Sequence, residues 1–351
     1  MRFNNSYLPD EKLLSKISVQ SNTSIKDTIK IMNSTALQVA IVVDTKKKYL
    51  GIVTDGDIRR GLVKNISISN KVEKIINKHS ISLKKNTSRL NAENIMEKNK
   101  IEHLPLLDKK NRLKGLFLKE KTIFKERFKN SVIIMAGGKG KRLRPITLKT
   151  PKPMIKIKRK PILEHIILRL KKEKFNNFYI SVNYLKNKII NYFKNGEKLN
   201  VKISYLNETK PLGTIGSLTL FKKKNNLPII VCNGDILSNV SAESILKFHQ
   251  KKNSFATIGV IEYYHKNPFG VVISKNFKLL NIQEKPIKKY FINSGIYVFN
   301  PNVLKFLEKN KKLDIPDLFK LLKKKKLKTL VFPIHENWKD IGRIEDLKIL
   351  K

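Results

Sequence analysis

The stretch SVIIMAGGKGKRLRPITLKTPKPM, Ser131–Met154, decides the reading of this chain. Val132–Ala136 are apolar or small and read as a buried strand. The strand runs directly into Gly137, Gly138 and Gly140, where missing side chains let backbone N–H groups approach an anion. Lys139, Lys141, Arg142, Arg144 and Lys152 follow, on a segment stiffened by Pro145, Pro151 and Pro153. A strand, a glycine turn and a cationic arm form a polyphosphate cradle. Two other phosphate motifs are excluded. A dinucleotide fingerprint needs a third glycine where Leu143 stands, and no G-x-x-x-x-G-K-[ST] loop occurs.

Outward from this stretch, 351 residues with 40% hydrophobic content suffice for two or three domains with a substantial core. No apolar run approaches the ~20 residues of a membrane span, so no membrane partner is expected. The opening MRFNNSYLPDEK has no apolar signal region, and Cys232 is the single cysteine. Both features lead to the expectation of a cytoplasmic protein without a disulfide framework. The formal charge of +46 raises the question of nucleic acid. However, the lysines are dispersed over both halves, and runs such as Lys222–Lys224 and Lys323–Lys326 lack interleaved aromatics for base stacking. Specific nucleic-acid binding is therefore not expected.

Residues 1–125 repeat themselves at an offset of 64. Asn22-Thr23-Ser24 recurs as Asn86-Thr87-Ser88, Ile31-Met32 as Ile95-Met96, Asp44 as Asp108 and Gly51 as Gly115. The copies span about 10–66 and 67–125. Each reads as turn, helix, strand, charged turn and strand, in the first copy Ser24–Asn33, Val39–Val43, Thr45–Lys48 and Leu50–Val53. One unit of about 60 residues is marginal alone, so two should pack together. After a lysine-rich connection, Lys119–Lys129, strands and helices alternate through residues 131–351. The expected elements are helix Pro161–Lys174, strand Phe178–Val182, helix Lys188–Phe193, strand Val201–Leu206, helix Thr214–Phe221 and strand Pro228–Cys232. Ile162, Ile166, Ile167 and Leu170 share one face of the first helix. This alternation predicts an α/β domain with a Rossmann-like, mostly parallel open sheet, whose ligands lie beyond the carboxyl ends of the strands.

The string G-G-x-G-x-R-L-x-P-x-T, followed by P-K-P-M, resembles the signature of the sugar-phosphate nucleotidyltransferases, which join an NTP to a sugar 1-phosphate. The resemblance covers residues 131–350, with five motifs in the family's order, and implies the nucleotide-diphospho-sugar transferase type of fold. It places Ala136, Gly137, Gly138 and Gly140 on the nucleotide, and Arg142 and Lys152 on the triphosphate. Asp235, in Asn233-Gly234-Asp235, and Asp340, in Trp338-Lys339-Asp340-Ile341-Gly342, match the family's magnesium-binding aspartates. Glu208, Gly213 and Thr214 fall in the segment resembling the base-recognition loop. Gly270, Glu284, Lys285, Asn293 and Gly295 match sugar-side positions. Lys141 departs from the family, which usually has a small hydroxyl residue there.

The chemistry agrees with these residue types. A phosphate nucleophile with a second pKa near ~6 is already mostly dianionic and needs no general base. The obstacle is repulsion between polyanions, so cations and metal-binding carboxylates are required rather than a protein nucleophile. The likeness extends to guanylyltransferases supplying GDP-sugars for nonulosonic acid and surface-glycan synthesis. It implies GTP with glucosamine 1-phosphate, then mannose 1-phosphate; dTTP, CTP and UTP stay open as alternatives.

In the front half, Gly51-Ile52-Val53-Thr54-Asp55-Gly56-Asp57-Ile58-Arg59-Arg60 resembles the end of a cystathionine-β-synthase (CBS) repeat, implying an α+β CBS pair. In that family the threonine and later aspartate hold an adenine nucleotide. Thr54 and Asp57 read equally well as helix caps. The second copy has Leu118 and Lys121 at the equivalent places, so at most one half-site keeps the polar pair. The pair is expected either to sense an adenine nucleotide or to serve structure and dimerisation, with a homo-oligomer among the expected states. A nucleotide sensor with a decayed catalytic half is the non-enzyme alternative.

Overall fold

The internal repeat appears as two sets of similar elements. The first comprises β1 (Ser18–Gln20), α1 (Ile25–Thr35), β2 (Val39–Val43), β3 (Tyr49–Thr54) and α2 (Asp55–Val63); the second comprises β4 (Leu83–Lys84), α3 (Arg89–Lys98), β5 (His103–Leu107) and β6 (Leu113–Leu118). A computed structural model describes residues 7–8, 11–35, 37–84, 87, 89–119, 127–222, 225–342 and 344–348. Asn86, Ser88, Lys121, Lys223 and Lys224, and most of the lysine-rich connection, lie outside them. The chain divides into two units, Met1–Lys125 and Glu126–Lys351.

In the first unit, β1 pairs parallel with β2 and β2 antiparallel with β3; β4, β5 and β6 repeat that arrangement. Tyr7–Leu8 adds to the outer edge of β6. Ile25, Ile29 and Met32 recur at helical spacing along α1 and are buried against Val19, Ala40 and Val53. A further cluster joins Val39, Ile41 and Ile52 of the first copy to Leu107 and Leu116 of the second. Each copy thus covers apolar surface that the other would leave wet.

The second unit contains β7 (Phe128–Met135), α4 (Ile162–Lys172), β8 (Phe175–Val182), α5 (Lys186–Phe193), β9 (Lys202–Asn207), β10 (Ile229–Asn233), β11 (Ile236–Ser238) and α6 (Ala242–Lys251). It continues with β12 (Ala256–Lys266), β13 (Val271–Lys275), β14 (Lys278–Gln283), β15 (Ile287–Phe299), α7 (Ile315–Lys324), β16 (Thr329–Ile334) and β17 (Trp338–Asp340). Seven strands form the main sheet, in the order β9-β8-β7-β10-β15-β12-β16. Pairing is parallel except where β15 lies between β10 and β12. Both faces are covered, as the continuous apolar run of β7 requires: Val132 and Ile134 face one core, Ile133 the other.

The expected helix Thr214–Phe221 is instead a 3-10 turn, Gly216–Leu220. The Ile215 and Gly216 amides both donate to the Leu313 carbonyl, 3.2 and 3.3 Å away, so a remote segment holds the backbone there. Among the described residues no helix is long and apolar enough to cross a membrane.

Candidate active site

β7 is central in the parallel part of the sheet, so its carboxyl end opens into the crevice such sheets form. Ala136 is buried, and its amide still donates to Ser181 on β8, at 3.0 Å. Beyond it the chain leaves the sheet. A Cβ added to Gly138 would meet nothing within 4 Å, so this backbone faces open space. Gly140 has φ +59, and a Cβ there would lie 3.0 Å from Thr147 and 3.1 Å from Lys152. The left-handed turn and the close approach both call for glycine.

Leu143, fully buried, anchors the short turn Lys141–Leu143 that presents Arg142. Lys152 sits on a second short turn, Lys152–Met154, and is 8% exposed. Burying an ammonium requires anionic partners. Lys152 Nζ is ion-paired with Asp235 Oδ2 and lies 3.6 Å from Asp340 Oδ1.

Topology explains how two aspartates so far apart in sequence meet. Asp235 follows the end of β10 and precedes β11, which pairs antiparallel with β17 in the register Ile236↔Asp340. The Ile341 amide also donates to the Asp235 carbonyl, at 3.2 Å. Gly342 completes the wall: a Cβ on it would be 3.3 Å from Arg142 Nη1 and 3.5 Å from Asp340 Oδ2. Burial, and then the neighbouring Asp235 carboxylate, push the Asp340 carboxyl above the usual range, against the pull of Lys152 and Arg142.

A cavity of about 260 Å³ is lined by Ala136, Gly138, Gly140, Lys141, Arg142, Lys152, Asp235 and Gly342, with Asp340 behind Lys152 and Gly342. Lys141, the departure from the family pattern, is therefore on the cavity wall. Asp235 Oδ1 and Asp340 Oδ1 are buried and accept no hydrogen bond from the described residues. Two converging carboxylates with orphaned oxygens fit a hard divalent cation, which takes oxygen ligands.

The loop that resembles a base-recognition segment is held by partners elsewhere in the chain. Glu208 is buried; its carboxylate accepts from Ser181 Oγ and, at 3.0 Å, from the Leu212 amide. A Cβ on Gly137 would lie 2.9 Å from Glu208 Oε1, so this side chain packs beneath the glycine turn. Gly213, at φ +83, makes its close approach to the Leu313 carbonyl, 2.5 Å from an added Cβ. Thr214 bonds Asp314 through its amide, at 2.9 Å, and its hydroxyl, at 3.2 Å. Ser181, Leu313 and Asp314 were not anticipated, because nothing local in the sequence marks a partner 27 residues away, as for Ser181, or about a hundred away, as for Leu313 and Asp314.

On the sugar side, the Gly295 amide donates to Asn293 Oδ1, at 2.9 Å, and Asn293 Nδ2 to the Tyr297 hydroxyl, at 2.8 Å. Gly295 has φ +72 and lies against Asn233, 2.7 Å from an added Cβ to Asn233 Nδ2. The Asn293–Gly295 turn therefore adjoins the end of β10. Gly270 and Glu284 form a second pair, with Glu284 Oε2 3.1 Å from a Cβ on Gly270. Glu284 and Lys285 are exposed and 3.8 Å apart. No contact among the described residues joins them to the aspartate pair.

In the first unit, Asp57 Oδ2 accepts from both the Thr54 amide, at 2.8 Å, and the Thr54 hydroxyl, at 2.6 Å. Asp57 also pairs with Arg60. The threonine and aspartate thus cap α2. A cavity of about 240 Å³ lies elsewhere in this unit, between Ile52 of the first copy and Asn77, His79, Ser80, Ile81, Ile101, Glu102 and His103 of the second.

Comparison with known proteins identifies the family of the second unit and the repeats of the first. A family profile described as Nucleotidyl transferase matches residues 131–349. The chain belongs to the nucleotidyl transferase family. CBS domain profiles match residues 13–64 and 72–120. The chain is similar to a UTP–glucose-1-phosphate uridylyltransferase of Synechocystis sp., 32% identical over 61% of this chain and 60% of that one. It is also similar to mannose-1-phosphate guanylyltransferase 1 of Arabidopsis thaliana, 34% identical over 61% of this chain and 62% of that one. The chain thus spans about three-fifths of the length of these relatives. The crystal structure of HddC from Yersinia pseudotuberculosis superposes with a TM-score of 0.50 and 26% identity, covering 63% of this chain and 97% of that one.

Proposed function

We propose that this nucleotidyl transferase joins an NTP to a sugar 1-phosphate, releasing pyrophosphate. The observation that carries the reading is the meeting of Asp235, Lys152 and Arg142 around one cavity at the end of β7, with Asp340 beside it, 3.6 Å from Lys152. The open backbone at Gly138 and the turn at Gly140 receive the phosphate chain, whose oxygens replace solvent as acceptors for the amides. Arg142 and Lys152 neutralise the triphosphate and orient its α-phosphorus for in-line attack. The sugar phosphate arrives as a dianion, so no side chain needs to remove a proton. A magnesium ion, held by Asp235 and Asp340, supplies charge stabilisation when bound. The Asn293–Gly295 turn, adjoining the end of β10, lines the sugar side, with Gly270, Glu284 and Lys285 further out.

We assign GTP as the nucleotide and glucosamine 1-phosphate as the first sugar, with mannose 1-phosphate as the alternative. The presence of guanylyltransferases among the relatives supports the base. Uridylyltransferase likeness makes UTP the competing choice. A panel of NTPs against sugar 1-phosphates, followed by pyrophosphate release, tests both assignments. Failure of every combination in the presence of magnesium refutes the enzyme reading.

For the first unit we propose an adenine nucleotide in the cavity between the copies, where apolar Ile52, Ile81 and Ile101 face polar Asn77, Ser80 and His103. Thr54 and Asp57 then act as the cap that fixes the start of α2. Calorimetric titration with AMP, ADP and ATP tests this; absence of heat with all three refutes it.

A further inference from the structure

One cation on the wall of the active-site cavity has no carboxylate of its own. The charged residues of that wall are Lys141, Arg142, Lys152 and Asp235, with Asp340 behind them. Lys152 is ion-paired with Asp235 and lies 3.6 Å from Asp340. Arg142 and Lys152 together cancel the two carboxylates, so Lys141 is the charge that leaves the wall positive. The side chain of Lys141 is exposed, and its ammonium has no carboxylate partner among the described residues. A lone surface lysine is ordinarily just solvated. This one follows Gly140 directly, at the mouth of the turn that receives the phosphate chain.

The local backbone separates the two adjacent cations. Lys141–Leu143 form a 3-10 turn, in which successive side chains point ~120° apart. Leu143 takes the inward direction and is fully buried, so Lys141 and Arg142 divide the other two. The direction of Arg142 is known: its Nη1 lies 3.3 Å from a Cβ built on Gly342, beside Asp340. Arg142 and Lys152 are also the cations that pull on the Asp340 carboxyl. Lys141 therefore leaves the same turn toward a different part of the cavity, away from the carboxylates.

The chemistry gives that part of the cavity a tenant. An oxygen of the sugar phosphate forms a bond to the α-phosphorus while the bond from that phosphorus to the α–β bridging oxygen breaks. The electron pair departs with pyrophosphate, and no proton moves. In-line displacement sets the entering and leaving oxygens on opposite sides of the phosphorus. The sugar side adjoins the end of β10, where Gly295 packs against Asn233, two residues before Asp235. The leaving group consequently points away from the carboxylates. Its negative charge grows as the bond breaks, so a cation waiting there gains more in the transition state than in the ground state.

We propose that Lys141 is a further catalytic residue, which holds the β- and γ-phosphates of the NTP and stabilises pyrophosphate as it leaves, in the place of a second divalent ion. The assignment rests on the transferase reading and adds to it a contact that needs no metal. A small hydroxyl residue, usual in the family at this position, donates one hydrogen bond and supplies no charge. An ammonium supplies both, and charge-assisted hydrogen bonds are roughly twice as strong as neutral ones. The cavity then has two cationic stations: Arg142 and Lys152 for the α-phosphate, beside the carboxylates, and Lys141 for the leaving end.

Calorimetric titration of the full chain with inorganic pyrophosphate, in EDTA at ~0.15 M salt, reads this contact without metal, base or turnover. Lys141→Gln is expected to weaken pyrophosphate binding at least ~10-fold, the scale of one hydrogen bond to a charged group. Lys141→Arg, which keeps the charge, is expected to restore most of it. Lys139→Gln removes an exposed charge from the same segment but off the cavity wall, and is expected to change affinity less than ~2-fold, since exposed charges are screened. GMP and UMP carry the α-phosphate alone and should bind Lys141→Gln as they bind the wild type. Unchanged circular dichroism confirms that the variants fold. A wild type that binds no pyrophosphate in EDTA overturns the proposal. So does unchanged affinity in Lys141→Gln, an equal loss in Lys139→Gln, or an equal loss for the monophosphates. Failure of the enzyme reading shows elsewhere, in the magnesium-containing panel of NTPs and sugar 1-phosphates.

Discussion

Replacing Lys152 by Gln should move two properties in opposite directions. The Lys152 ammonium contacts Asp235 and lies 3.6 Å from Asp340, so it occupies the space between the carboxylates that a divalent ion needs. Two unit charges ~4 Å apart attract by ~4 kcal/mol at an effective dielectric of ~20. The carboxylate side chains are 27% and 42% exposed, and solvent screening reduces each pair to roughly 1 kcal/mol. An ion arriving without nucleotide must displace both pairs, about 2 kcal/mol, or somewhat more than tenfold in affinity. The Gln variant should therefore bind Mn²⁺ at least ~10-fold more tightly than the wild type in the absence of nucleotide, as read by electron paramagnetic resonance titration. Its turnover should fall by ~10²-fold or more, because the triphosphate loses a charge-assisted contact. Lys141→Gln removes the same charge from the cavity wall without touching either carboxylate, and should change Mn²⁺ affinity far less. Equal effects from the two variants, or unchanged Mn²⁺ affinity in Lys152→Gln, would refute the claim that this ammonium stands in the ion's place.

Three other outcomes follow from the structure. Asp235→Asn keeps the shape of the β10–β11 connection while removing a charge, and should cut turnover by at least ~10²-fold in protein that still folds, as read by circular dichroism; a smaller loss removes Asp235 from the ion site. Gly140→Ala meets both a left-handed backbone and two side chains near 3 Å, so it should cost about 1–2 kcal/mol in urea melts and raise KM for the nucleotide. His249 is buried against Thr257, and burial pushes its pKa down to about 4. The unfolded chain takes up this proton near ~6.5, so the contribution of His249 to stability is complete above that pH and is lost as pH falls toward 4. The loss should reach about 2 kcal/mol near pH ~5, and His249→Gln should flatten that part of the stability profile in urea melts.

What the sequence revealed and what it hid divide by the range of the interaction. The β7 strand, its glycine turn and the aspartate after β10 are local features: an apolar run of sheet length, a glycine where φ is positive, and a carboxylate at a strand end. The α4 helix is similarly local, since Ile162, Ile166, Ile167 and Leu170 recur at the helical period and all four are buried. The same local logic failed at Thr214–Phe221. There the pattern allowed a helix, but the backbone donors are taken by Leu313, and the two glycines are needed to let that remote segment approach. Gly213 stood in the expected loop, but nothing local marked its positive φ or the approach of Leu313. Glu208 showed a carboxylate in the expected loop but not that Ser181 and Leu212 engage both of its oxygens.

At the ion site the long-range component can be traced to one pairing. Asp235 and Asp340 converge because β11 and β17 form a ribbon whose register sets Ile236 opposite Asp340. Side chains in a strand alternate faces, so a slip of one residue in that ribbon would turn the Asp340 carboxylate away from Lys152. Trp338 resists that slip: its ring N–H donates to the Ser294 carbonyl, at 2.9 Å, tying β17 to the Asn293–Gly295 turn. That turn in turn packs Gly295 against Asn233 and Ile236. The tryptophan is thus a positioning residue that holds the register on which the carboxylate pair depends. Trp338→Phe keeps an aromatic side chain in β17 but removes the donor together with the five-membered ring. It should leave the fold intact while weakening Mn²⁺ binding, and wild-type Mn²⁺ affinity in that variant would show that the strand pairing holds its register without it.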